Sequence, residues 1–179
     1  PRDFVHSKVM CWAAINRGIA LAEAQHLQAP LEHWYKVRAE IRHAVETRGV
    51  DPKGDHFVAS FGSTHMDAAL LLLPEVEFVA YDDPRMLRTL DAVRAELDTD
   101  GGLVLRYRVE DGMAGSEGVF LACTFWLVEC LARGGRVQEA RSVFDRVAAC
   151  ANDLGLFPEE FDPHAGEMLG NFPQGLSHL

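Results

Sequence analysis

The chain has 179 residues, 48% of them hydrophobic and 25% charged, with a formal net charge of −10. That length supports one domain with a sizeable core, and the composition is that of a soluble globular protein. The acidic balance excludes nucleic acid as the main partner and adsorption on an anionic membrane, since both need clustered Lys and Arg; it suits plain solubility, or a neutral or cationic partner.

The apolar pattern predicts helical hairpins. Residues 5–28 read as a first helix rich in apolar side chains (Val5, Val9, Met10, Trp12, Ala13, Ile15, Ile19, Leu21), broken by Pro30. Residues 31–48 carry Leu31, Trp34, Val37, Ile41 and Val45 at helical spacing, and Gly49 ends that helix. "VDPKGDHFVASFGS" reads as a loop, extended at 57–60. "THMDAALLLLP" is a short helix, apolar nearly all round and ended by Pro74.

"YDDPRMLRTLDAVRAEL" starts a helix with Asp83 as N-cap and Pro84 at the first helical position. A long loop follows, with a short strand expected at 103–107. Residues 116–133 read as a helix with few charges. Residues 136–151 are amphipathic, with Val137, Ala140, Val143, Phe144 and Val147 expected to face inward. "GLFPEEFDPHAGEMLGNFPQ" then reads as a loop, and "GLSHL" as the first turn of another helix. That ending, and a start at Pro1, suggest a piece of a longer protein.

Helices near 5, 66 and 117 are apolar on most faces, whereas those near 31, 84 and 136 are amphipathic. A helix apolar all round must be buried on all sides. The order therefore reads inner, outer, inner, outer, inner, outer, as in two concentric rings. Three hairpins do not close such a ring, so exposed inner faces predict self-association or a missing segment of the same protein. Every long loop precedes an inner helix, which gathers these loops at one end, where binding and chemistry concentrate.

The four cysteines, Cys11, Cys123, Cys130 and Cys150, form no CxxC pair and lie in apolar helical contexts, so buried reduced thiols are expected. The histidines do not sit at ligand spacing, and no phosphate-binding loop or GxSxG elbow is present, so no metal or other cofactor is expected. No signal peptide and no membrane-length apolar run is found, which points to a cytoplasmic location.

Several polar groups carry two readings each. Glu159 and Glu160 are either paired carboxylates for acid–base work on a sugar or a solvated acidic loop with a turn at Asp162–Pro163. Arg106 and Arg108 share one face of an extended segment, with Tyr107 on the other. An arginine there either forks onto a substrate or pairs with Glu110 or Asp111. Glu117 either caps a helix dipole or lies on a cavity floor. His6 and Lys8, like His65 and Asp67, are cavity groups or ordinary first-turn residues.

Four stretches carry a family resemblance that spans essentially the whole chain. They are "FVHSKVMCWAAINRGIALAE", "SFGSTHMDAALLLLPEVEFVAYDDPR", "GGLVLRYRVEDG" and the run from "SEGVFLACTFWLVECLARGG" to "GEMLGNFPQGLSHL". Together they resemble the C-terminal part of bacterial members of glycoside hydrolase family 15, which holds glucoamylases, glucodextranases and a group of trehalases. The resemblance implies an all-α (α/α)6 toroid of which 1–179 is part of a single catalytic domain, truncated at both ends. It also implies hydrolysis of α-glucosidic bonds with inversion. Glu159 matches the general base and Glu160 its neighbour. Arg106 matches a substrate-binding arginine before a tyrosine, here Tyr107. Glu117, His6 and Lys8 match positions at the cavity end of inner helices. The family's general acid precedes the "HSK" helix and so lies outside this sequence, which implies that these residues alone are inactive. The rival expectations are a toroid that binds glycans without catalysis and an all-α protein-interaction scaffold.

Overall fold

The structure, a computed structural model, describes residues 2–108 and 118–179. It is all-α, with helices α1 (Val5–Ala24), α2 (Leu31–Arg48), α3 (Pro84–Leu97), α4 (Leu121–Arg133) and α5 (Val137–Ala148). A 3-10 turn, Ala68–Leu72, stands where the second inner helix was expected. Asp67 caps it at one end and Pro74 follows soon after, so only six residues stand between the two stops.

α1 packs on α2 and α4 on α5, while the Ala68–Leu72 turn touches α1, α3 and α4. That turn is the hub: Ala68, Ala69, Leu70 and Leu71 are all buried. The main core runs from Val9 of α1 through Leu70 to Leu90 of α3, Leu127 of α4 and Val143 of α5. The expected cap of α3 is present, with the Asp83 side chain accepting from Arg85 N–H at 2.8 Å and Pro84 in the first turn.

The long loops are tied to the starts of the inner elements by a repeating rule. The loop before the 3-10 turn bonds to the start of α1, with Val5 N–H donating to Ala59 C=O and Phe61 N–H to Asp3 C=O. The loop before α4 bonds to the start of the turn, with Ala68 N–H donating to Arg106 C=O. The segment after α5 bonds to the start of α4, with Leu121 N–H donating to Glu159 C=O. Two buried threonines add clips: Thr89 accepts Phe57 N–H at 2.9 Å and Thr124 accepts Val104 N–H at 3.0 Å. The first-turn donors that a helix cannot satisfy itself are thus met by loop carbonyls, and the loops come together at one end.

Several expectations need correction. The stretch after α5 is a hairpin: strands β2 (Glu160–Asp162) and β3 (Glu167–Leu169) join β1 (Val119–Phe120) in an antiparallel sheet, order β1-β2-β3. The 103–107 segment makes only an isolated bridge, Asp98 to Val104. α1 is buried on one side rather than all round, and Met10 and Leu21 are 43% and 58% exposed. In α5, Ala140, Val143 and Val147 face the core, but Val137 and Phe144 are 59% and 45% exposed, because they flank the buried stripe. Cys11 lies on the open side of α1 and is exposed; Cys123, Cys130 and Cys150 are buried and free. Among the described residues no helix is long and apolar enough to cross a membrane.

Candidate active site

A cavity of about 690 Å³ opens beside the start of α1, and His6, Asp67, Arg106 and Tyr107 are on its wall. Each reaches it by the loop rule above. His6 is in the first turn of α1, Asp67 caps the 3-10 turn, and Arg106 is the residue whose carbonyl holds that turn. Arg106 Nε donates to Asp67 Oδ1 at 2.9 Å, and the same oxygen accepts Ala69 N–H at 2.8 Å. Nε is thereby committed to Asp67, which fixes the plane of the guanidinium.

His6 Nε2 is buried without a hydrogen-bond partner among the described residues. Burial pushes the imidazole below its ordinary value; Asp67 pulls it up and Arg106 pushes it down. Burial thus favours the uncharged ring at the cavity wall. Cys123, near the start of α4, lies within electrostatic reach of Arg106 and Asp67, and burial raises its thiol to about 12. It is a packing group, not a nucleophile.

Glu159 and Glu160 are placed by the hairpin and do not line that cavity. Glu159 Oε2 accepts from Asn171 twice, from the backbone N–H at 3.1 Å and from Nδ2 at 2.7 Å. Among the described residues Oε1 has no partner. Glu160 Oε2 accepts Gly118 N–H at 3.2 Å, across to the strand that starts α4. The two adjacent carboxylates are therefore each held by a different backbone donor. Phe161 packs on a small second core of Leu103, Val119, Leu121, Val147 and Cys150, which anchors the sheet.

Asp162 makes the turn that was weighed for it. Its Oδ1 accepts His164 N–H at 2.8 Å and Ala165 N–H at 3.1 Å, and these bonds hold its carboxyl below the usual range. Lys8 engages Asp3 at 2.8 Å and is not on the cavity wall. Arg108 donates to Glu96 C=O and Asp98 C=O, binding its loop to the end of α3. Glu117 and the partners weighed for the arginines, Glu110 and Asp111, lie outside the described residues. Among the described residues no group of His, Cys, Asp and Glu is placed to hold a metal.

Asp67, read from the sequence as a cavity group or an ordinary first-turn residue, lies on the cavity wall, and Asn171, for which the sequence holds no expectation, holds Glu159. Asp67 carried a signal, an aspartate just before an apolar run, where an N-cap belongs. Asn171 carried none, since its pairing with Glu159 depends on the hairpin.

The family model for glycosyl hydrolases family 15 matches residues 1–179. A trehalase of Thermoplasma volcanium is 45% identical over 179 residues, covering 100% of this chain and 29% of that protein. A trehalase of Mycolicibacterium smegmatis is 43% identical over 182 residues, covering 100% of this chain and 27% of that protein. The chain thus spans under a third of the length of these curated relatives. Among solved structures, a wild-type glycosidase superposes with a TM-score of 0.77 at 25% identity, over 98% of this chain and 45% of that one. A glycosidase variant in complex with glucose superposes at 0.76 with 24% identity over 99% of this chain and 45% of that one, a likeness of fold.

Proposed function

The chain belongs to glycosyl hydrolase family 15, and we propose that the full-length protein hydrolyses α-glucosidic bonds with inversion, with trehalose as its favoured substrate. Residues 1–179 form part of one catalytic domain, a partial toroid that supplies the general base. The observation that carries this reading is the state of Glu159. Its Oε2 is fixed by two donors while Oε1 is left to act.

In this mechanism Glu159 Oε1 takes a proton from water as that water attacks the anomeric carbon. The bond from that carbon to the bridging oxygen breaks, and the oxygen takes a proton from a carboxylic acid outside this chain. The two carboxyl groups stand roughly 6.5–9.5 Å apart to admit the water. Arg106, Tyr107 and neutral His6 bind sugar hydroxyls in the cavity, and Asp67 holds the arginine in place. Glu160, Glu117 and Lys8 are further candidates for substrate contact. The preference for trehalose rests on the names of the relatives.

The test is hydrolysis by the full-length protein and its Glu159→Gln variant, followed by NMR of the first product. Inversion releases one β-glucose and one α-glucose from each trehalose, whereas retention releases two α-glucose molecules. The variant is expected to lose at least about 1,000-fold in kcat with its fold intact, by removal of the base. Wild-type turnover by the variant would remove Glu159 from the chemistry.

A further inference from the structure

We propose that Asn171 is the positioning residue for Glu159, and that the bulge at Gly170 exists to bring it there. This inference rests on the reading of Glu159 as the general base. The ladder pairs Glu160 with Leu169, so regular pairing would set Gly170 opposite Glu159. Instead Glu159 N–H donates to Asn171 C=O at 2.9 Å, one residue further on. Gly170 has φ +71°, the left-handed conformation that lets one extra residue into a strand. The bulge advances the strand so that Asn171 presents its own N–H and its side-chain amide to one carboxylate oxygen.

The arrangement is directional. Both Asn171 donors go to Oε2, at 3.1 and 2.7 Å. A carboxylate gripped through one oxygen keeps its other oxygen at a fixed place and angle, which is what proton transfer from a poised water requires. The amide orientation follows from the chemistry: turning Oδ1 toward Glu159 would set acceptor against acceptor. The backbone reciprocity, with Glu159 N–H on Asn171 C=O, locks the pair at both ends. Among the described residues Glu160 is held differently, its Oε2 taking Gly118 N–H alone at 3.2 Å. The difference singles out Glu159 from its neighbour by geometry.

The experiment uses the full-length protein, trehalose as substrate, and the variants Asn171→Asp, Asn171→Ala and Glu159→Gln. Asn171→Asp is isosteric, keeps the backbone donor and replaces the amide donor with a second carboxylate. Two carboxylates at that distance share a proton. Its kcat is expected to fall about 100-fold or more near pH 7 with KM nearly unchanged. The ratio of its kcat to wild type should then climb as the pH is lowered toward about 5, where the shared proton again supplies a donor. Asn171→Ala should lose kcat at every pH without that recovery. A purely structural role would lower thermal stability in both variants alike and leave the pH dependence of the ratio flat. If Glu159→Gln is inactive while Asn171→Asp turns over like wild type, the positioning role is overturned and the base assignment stands. If Glu159→Gln keeps wild-type turnover, the base assignment itself falls, and the proposal with it.

Discussion

Arg106 and Asp67 meet across 39 residues of sequence, Nε to Oδ1 at 2.9 Å, and the same Oδ1 caps the turn that begins at Ala68. One oxygen thus does two jobs: it caps the start of the 3-10 turn and orients a cavity arginine. Substitution separates them. Asp67→Asn keeps an acceptor for the cap and loses the charge, so about 1 kcal/mol of stability is expected to go. Asp67→Ala loses both, about 2–3 kcal/mol in all. Urea unfolding of the two variants checks this, and equal costs would mean that the cap contributes nothing.

His6 gives the protein a pH dependence whose sign is fixed by burial. Its folded-state pKa lies below the ordinary 6.5, because the buried ring resists charging. Below 6.5 the unfolded chain therefore binds a proton that the folded chain does not. Stability falls as the pH drops from the unfolded value toward the folded one, and is fully present above it. His6→Gln removes the titration and keeps a polar side chain. Its melting temperature should decline less than that of wild type over that acid window; parallel declines would show that another group is responsible.

How much of this was legible in the sequence depends on how local each feature is. The bounds of α2 and the start of α3 follow from Pro30, Gly49, Asp83 and Pro84, each a neighbour of the element it delimits. The inner–outer alternation follows from apolar periodicity, and the buried 68–71 turn honours it. α1 does not, because its outer face has nothing to cover it among the described residues. The hairpin was hidden because Pro158, Pro163, Gly166 and Gly170 give the segment the composition of a loop. Its strands form because Val119 and Phe120 offer an edge about forty residues earlier, and no local pattern encodes that. For the same reason Glu159 was legible as a carboxylate and Asn171 was not legible as its partner.

Gly170 and Gly166 make a matched pair for testing the bulge. Both have φ near +70° (+71° and +70°), so an alanine at either is strained. A Cβ on Gly166 meets nothing within 4 Å, whereas on Gly170 it would lie 2.9 Å from Glu159 Oε2 and 3.0 Å from Glu159 Cβ. Gly166→Ala should cost only the backbone strain, about 1–2 kcal/mol, and leave turnover unchanged. Gly170→Ala should cost up to roughly 3 kcal/mol and displace Glu159, with a fall in kcat. Unfolding curves and trehalose kinetics on both variants check this. Equal kcat values would show that the glycine serves the turn alone.

Arg42 holds the opposite part of the hub. Its guanidinium lies 4.7 Å from the Trp12 ring of α1 and 4.4 Å from the Phe78 ring. It donates to Phe78 C=O at 2.9 Å and to Glu46, one turn along α2, at 3.1 Å. Trp12 and Phe78 themselves meet edge to face at 5.1 Å. One cation therefore ties α1, α2 and the segment leaving the 3-10 turn, whose other end carries Asp67. Contact with two rings together with a fork of donors favours a planar group, so charge alone should not suffice. Arg42→Ala is expected to cost about 2 kcal/mol. Arg42→Lys should lose at least half of that, although it keeps the charge. A lysine variant as stable as wild type in urea would reduce the contact to simple electrostatics. A large loss in both, with unchanged kcat and KM, would place Arg42 in the scaffold that supports the cavity and outside the chemistry.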